Sequence, residues 1–293
     1  MPYRLPDISE IMAVAASRGE DSDAPHLWRG LVGAWPLQEP GGVTAYDVSG
    51  YGRHGDLTAM EAEDRTMSPR GRCLVFGGTD ETVIIPYGAN LGFTTAYTFA
   101  AWCYQDTDRN WNVWFVRGTA NTDDIEIYSS VSGQGLTVAH NRGNGGTFEY
   151  VASDSNTGVS GNGGWADMTH GGWHHLAVTF EANTLRVYVN GKQAGNTITG
   201  LIDPLNTNRT LRLGSTANTA FSATGAWCIG RMAFAQVYNR ALAPAEIQQL
   251  YADPWAMYRL RPSVFAAAVA EEPSGFKPYW ARPSYQIIGG GIA

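Results

Sequence analysis

Two adjacent imidazoles, His174 and His175, stand behind Trp173 in the run GGWHHLAVTF. Paired histidines can hold a transition metal or relay a proton, so the first question is whether these two work on one substrate atom or ion. Their neighbours speak against it. If residues 173–180 form a strand, Trp173, His175, Ala177 and Thr179 share one face, and His174, Leu176, Val178 and Phe180 share the other. Imidazoles on opposite faces cannot close on the same ion. The polar EANT then leads into LRVYVNG, whose Asn190-Gly191 pair suits a hairpin turn with positive φ at both central residues. The histidines are expected to belong to a scaffold hairpin.

Other chemistry-bearing residues are scattered. Cys73, Cys103 and Cys228 lie far apart in apolar, strand-like settings without the C-x-x-C spacing of zinc or redox sites, and buried reduced thiols are expected. There is no G-x-S-x-G elbow, H-E-x-x-H helix, phosphate-binding loop or dinucleotide fingerprint. GNGGW and GGG are glycine-rich, but they lack the strand-loop-helix setting that aims N–H groups at a phosphate, and they read as turns. The formal net charge is -7, and YRLRPS (258–263) is the sole basic knot. No nucleic-acid partner is expected, because phosphate contacts need clustered Lys and Arg. No stretch reaches the length of apolar sequence that crosses a membrane, so no insertion is expected.

The elements that must position any site are strands. About a dozen short runs rich in β-branched and aromatic residues follow one another between Gly, Asn, Asp and Thr clusters, from LVGAWPL (31–37) to WCIGRMAFAQVYN (227–239). Without intervening helices they predict an all-β fold, a two-sheet antiparallel jelly-roll sandwich. One short C-terminal helix is expected over APAEIQQLYADP, with Pro244 at its first position and Ile247, Leu250 and Tyr251 on one face. Its N-cap is Ala243, a choice that costs about 1 kcal/mol, so packing has to hold the helix in place. Residues 1–26 read as an N-terminal arm with a helical turn over ISEIMAVAAS and a polar linker, and 257–293 as an extended docking tail. The tail holds Tyr258, Phe265, Phe276, Tyr279, Trp280 and Tyr285, more aromatics than a free disordered segment usually carries.

From Leu27 to Trp255 the chain resembles the laminin-G-like jelly rolls of the concanavalin A-like lectin and glucanase superfamily. Four segments carry the likeness: LVGAWPLQEPGGVTAYDVSGYGRHGDL (31–57), LVFGGTDETVIIP (74–86), YTFAAWCY (97–104) with the 171–195 hairpin, and GRMAFAQVYNRALAPAEIQQLY (230–251). The resemblance places the jelly roll at 27–256. It implies a calcium ion between loops, with Asp47 and Asp80 as ligands, since carboxylate and carbonyl oxygens on flexible loops suit that ion. Ala233 stands where the family often has an acid, and an Asx turn capped by Asp47 is the plainer alternative.

Glucanases of the superfamily carry E-x-D-x-E on one strand, which aims alternate carboxylates into one cleft. The nearest match here is Thr122, Asp124 and Glu126, with Thr122 in the nucleophile's place. No catalytic residues and no enzymatic activity are expected. Glycan binding would use exposed aromatic platforms, with Trp111, Trp165 and Tyr51 as loop candidates.

A fold usually displayed outside cells, on a chain beginning MPYRLPDISEIM without a secretory pattern, is expected in a virion assembled in the host cytoplasm. The expected function is a non-catalytic, virion-associated structural, decoration or adhesion protein of a tailed phage. Its termini would dock to neighbouring subunits or to copies of itself, and its sandwich would touch a host glycan. The alternative is a bacterial carbohydrate-binding or adhesion module at the cell surface, with a divergent glycosidase as a third reading.

Overall fold

The computed structural model describes residues 8–88, 95–107, 112–119, 122–130, 135–141, 148–152, 170–201, 209–216 and 227–262, with Pro6, Leu91, Asp203 and Pro204. They form two antiparallel sheets face to face. The first runs in the order β14 (Lys192–Thr199), β13 (Thr184–Val189), β12 (Trp173–Glu181), β7 (Ala96–Gln105), β16 (Ile229–Tyr238), β5 (Gly71–Gly77) and β4 (Arg65–Ser68). β1 (Leu31–Trp35) joins the same edge of β16 further along, pairing Trp35 with Ala235 while β5 pairs Leu74 with Met232. The two partners divide β16 at Phe234, whose φ of 53° marks the bulge where its register with β7 shifts.

The second sheet runs β11 (Phe148–Ala152), β10 (Gly135–Asn141), β9 (Thr122–Ser130), β8 (Asn112–Thr119), β15 (Thr210–Leu213), β6 (Thr82–Ile85), β3 (Gly55–Thr58) and β2 (Thr44–Ala45). The sandwich expected from the strand rhythm is therefore present. Alternation explains its core: Leu57, Val83, Leu213, Phe115, Ile127 and Val138 pair in one row across this sheet and point inward together. They meet Phe99, Leu176, Val178 and Phe180 of the first sheet, with the Phe99 and Phe115 rings 5.4 Å apart across the gap.

A third layer covers the outer face of the first sheet. Helix α1 (Ile8–Ala16), a 3-10 turn at Pro25–Trp28, helix α2 (Pro244–Ala252) and a second 3-10 turn at Ala256–Tyr258 bury Ile11, Val14, Leu27, Ile247, Leu250 and Met257 against it. Two chain regions some 230 residues apart are tied together here. Ser22 Oγ and Trp28 Nε1 both donate to the Met257 carbonyl, at 2.8 and 2.7 Å, and the Leu260 N–H donates to the buried Glu10 carboxylate at 2.8 Å. The expected 1–26 arm, from Ile8 onward, and the first residues of the expected tail thus lie on the chain's own sandwich. Residues 263–293 lie outside the described residues.

Helix α2 begins as its sequence predicts, with Pro244 in the first turn and Ala243 as a cap without a side-chain acceptor. Glu246, at the third helical position, forms the reciprocal half of a capping box: its carboxylate accepts the Ala243 N–H at 2.8 Å and also both Arg240 Nη groups at 2.7 and 2.6 Å. Burial pushes the Glu246 carboxyl up in pKa, but Arg240 and the Ala243 N–H outweigh that and hold it below its ordinary value.

Candidate functional site

Where the outer layer stops short, the first sheet leaves a pocket of about 250 Å³ lined by Ser68, Pro69, Arg70, Trp102, Trp173, Asn190, Ala233 and Tyr251. Strand register assembles its base. Trp173, Tyr104 and Arg231 stand side by side on β12, β7 and β16, and His175, Trp102 and Ala233 form the next row inward. Because alternate residues share a face, the WHH run places Trp173 at the pocket and His175 beneath it, while His174 turns the other way. The methyl of Ala233 keeps the base open beside the Trp102 indole.

Two turns and a helix raise the walls. The β4–β5 turn carries Arg70, whose N–H donates to Ser68 Oγ at 3.1 Å and whose carbonyl accepts Trp255 Nε1 at 2.9 Å. Gln38 clamps Arg72, two residues on, accepting its N–H and donating to its carbonyl, each at 2.6 Å. So anchored, the Arg70 guanidinium carbon lies 3.8 Å from the centre of the Trp102 ring. The β13–β14 turn supplies Asn190, with φ of 51°, and Gly191, with φ of 76°, as the Asn-Gly pair predicts. Asn190 spends its side chain on β12: Oδ1 accepts the His175 N–H at 3.0 Å and Nδ2 meets His174 Nδ1 at 3.2 Å. Helix α2 brings Tyr251, stacked on Trp102 with ring centroids 5.5 Å apart.

His175 is completely enclosed, with its ring 5.6 Å from Trp102 and 6.3 Å from Tyr251. Burial, with a smaller push from the Arg70 charge, lowers its pKa to about 3. A neutral imidazole under a wall of aromatics is scaffold, as the strand pattern implied. Beside the pocket, Trp173 leans on Tyr104 at 5.7 Å, and Arg231 covers Tyr104 at 4.5 Å while pairing with Asp106 at 3.0 Å.

The residues singled out from sequence lie elsewhere. Tyr51 is exposed, with the Arg18 and Arg53 guanidinium groups 5.4 and 4.7 Å from its ring centre; Trp111 and Trp165 lie outside the described residues. Asp47 is buried, and its carboxylate accepts the N–H groups of Ala34, Ser49 and Arg53 at 3.0, 2.9 and 2.8 Å, the work of an Asx cap. Asp80 is exposed in a turn organised by Glu81, which accepts the Thr79 and Asp80 N–H groups. Among the described residues no three His, Cys, Asp or Glu side chains converge on a point. All three cysteines are buried thiols, and burial pushes the Cys73 thiol up to about 11.

On β9, Ile125 and Ile127 point into the core, so Glu126 faces outward. Its partners in register are Val116 and Ala139, neither of them acidic; the side chains of Thr122 and Asp124 lie outside the described ones. Sequence reading missed Arg70, Trp102 and Tyr251 as site residues. The one local signal was the alternate spacing of Trp102 and Tyr104 on β7, matching that of Trp173 and His175 on β12.

Solved structures share this architecture. The binding domain of Paraclostridial Mosquitocidal Protein 1 is 14% identical, with a TM-score of 0.57 over 77% of this chain and 52% of that one. A Trypanosoma rangeli sialidase in complex with the inhibitor DANA is 14% identical, with a TM-score of 0.53 over 83% of this chain and 38% of that one. Domain 4 of AbnA, a GH43 extracellular arabinanase from Geobacillus stearothermophilus solved with arabinotriose, is 17% identical, with a TM-score of 0.50 over 75% of this chain and 98% of that domain. The chain thus spans only about a third of the sialidases and half of the toxin domain. No curated protein sequence matches it. At these identities the likeness is one of fold, but a family model covers residues 76–248, from the end of β5 to the middle of α2. The chain belongs to the concanavalin A-like lectin/glucanases superfamily.

Proposed function

We propose that the chain is a non-catalytic recognition module that binds a glycan in the pocket bounded by Arg70, Trp173, Asn190 and Tyr251. The observation that carries this reading is the pocket itself. Half-buried Trp173 and Tyr251 offer flat apolar surface beside polar groups held by backbone anchors, the mixture that sugar rings require. Domain 4 of the arabinanase, solved with arabinotriose, and the toxin's binding domain support a binding role on this fold. The non-catalytic half rests on Thr122 in a nucleophile's position and on Val116 and Ala139 flanking Glu126.

The protein screened against a panel of immobilised oligosaccharides is expected to retain one class, and Trp173→Ala to weaken that retention about tenfold or more. Unchanged retention in the variant removes the pocket from the reading. Incubation with the retained glycan is expected to release no reducing ends; turnover lost in Glu126→Gln would instead establish a glycosidase.

The same proposal places the module on an assembled particle, a tailed-phage virion, with residues 263–293 docking it to neighbouring copies. Five of the seven aromatics between residues 255 and 293 lie in that stretch: Phe265, Phe276, Tyr279, Trp280 and Tyr285. Light scattering on the full chain and on one ending at Pro262 tests it. Assembly in the first and monomers in the second are expected; two identical monomers end the docking idea.

A further inference from the structure

The pocket is closed along the strands in one direction and open in the other. Beyond His175 and Trp102 the next row on this face is Ala177 and Ala100, and both are buried in one apolar cluster with Ile247, Leu250 and Trp255. A ligand cannot extend that way without unpacking helix α2. The walls also meet one another at this end. A Cβ on Gly191 of the β13–β14 turn would come within 3.0 Å of Tyr251, so the turn and the helix leave no gap between them. Tyr251 stacks on the Trp102 ring, and the Arg70 guanidinium carbon lies 3.8 Å from the centre of that ring. The Trp255 indole N–H, bonded to the Arg70 carbonyl, ties the β4–β5 turn to the same packed layer.

Toward the strand ends the lip is low. Trp173 is preceded by Gly172 and Gly171, and a Cβ on Gly171 would meet no atom of the described residues within 4 Å. Its φ of 83° and its N–H bond to the Gln105 carbonyl at 2.9 Å hold this bare stretch of backbone beside the end of β7. The space itself is small. At about 250 Å³ it falls below pockets for drug-sized ligands, which start near 300 Å³, and it suits a single sugar ring. The lining offers that ring the polar groups of Ser68, Arg70, Asn190 and Tyr251 beside the flat face of Trp173.

A sugar inside a chain is substituted on two sides and needs a groove open at both ends, whereas a terminal sugar is substituted on one. A glycan borne by a protein, a lipid or a cell wall is attached through its reducing end, which leaves the non-reducing end free. Resting on the glycan reading of this site, we infer that the pocket takes the non-reducing terminal sugar of a glycan chain, and that the rest of the chain leaves over Trp173 past Gly171.

The test is calorimetric titration of the folded full chain with each oligosaccharide series of the panel, supplied as methyl glycosides of one to six residues. Every series is also supplied with the hydroxyls of its outermost ring methylated. For the series that binds, affinity is expected to stay within about twofold from one residue to six, because a single ring is enclosed. Methylating the outermost ring should cost about tenfold or more, and Trp173→Ala should weaken every length by the same factor. Thermal melts confirm that the variant folds. Affinity that climbs with each added residue, or that tolerates the methylated ring, overturns the terminal-sugar inference; loss of that binding in Trp173→Ala then leaves the glycan reading standing. If no series binds, or binding is untouched by Trp173→Ala, both readings of the pocket fall together.

Discussion

A Cβ placed on Gly191 would stand 3.0 Å from the Tyr251 ring and 3.3 Å from the Gln248 backbone, so the β13–β14 turn and helix α2 meet at a glycine. Two demands coincide there, a φ of 76° and the absence of a side chain. Gly191→Ala is expected to lower the unfolding free energy by about 1–2 kcal/mol, from left-handed strain together with the displaced ring. It should also weaken whatever binds over Tyr251. Urea unfolding read alongside binding checks this; wild-type stability would mean the helix does not rest on the turn.

His175 makes stability depend on pH. Its folded pKa, about 3, lies below the ordinary histidine value, so between the two the unfolded chain binds the extra proton and the folded one does not. The stabilisation is complete above about pH 6.5 and is lost as pH falls toward 3. Between pH 6.5 and 5 the wild type should lose about 2 kcal/mol more than His175→Phe, which cannot titrate. Parallel stability curves for the two proteins would show that the imidazole is not enclosed.

Asp47 joins β1 to the loop that follows it. Asp47→Ala leaves three N–H groups without their acceptor and should cost about 3 kcal/mol, with Asp47→Asn near half of that. Because those N–H groups already point at its oxygens, a chelator is expected to leave the wild-type melting midpoint where it was. A fall on chelation that calcium reverses would make Asp47 a metal ligand after all.

Arg240 holds the outer layer at two points. It donates through both Nη groups to Glu246 at the head of α2, and through Nε to the Arg29 carbonyl at 2.7 Å, beside the first 3-10 turn. Arg240→Ala should cost about 2 kcal/mol, and Arg240→Lys should recover little, since an ammonium cannot form the fork. Glu246 is held below its ordinary pKa, so this contribution is present above the unfolded carboxylate value and disappears as pH falls through the folded one. Denaturation of both variants at neutral and acid pH provides the check.

The twelve strands legible in sequence are those with apolar alternation or long apolar runs, and all twelve occur. The four that were missed, β2, β3, β4 and β14, are short or polar: Thr44–Ala45 has two residues, and Lys192–Thr199 reads KQAGNTIT, a largely polar run interrupted by the turn formers Gly195 and Asn196. Such strands are held by their neighbours rather than by their own composition. Even Phe234, where β16 changes partners from β5 to β1, has an ordinary aromatic in its sequence and a backbone that only the flanking strands impose.

By itself the sequence determined the alternation of Trp173 through Phe180, the Asn190-Gly191 hairpin and helix α2, because each depends on residues within a few positions of one another. It thereby also determined that His174 and His175 face apart. Only the tertiary structure decided that Arg70, Trp102, Trp173, Asn190 and Tyr251 enclose one pocket. Those residues come from two turns, two strands and a helix spread over some 180 positions, and their meeting depends on sheet order, which long-range pairing sets and local periodicity cannot carry.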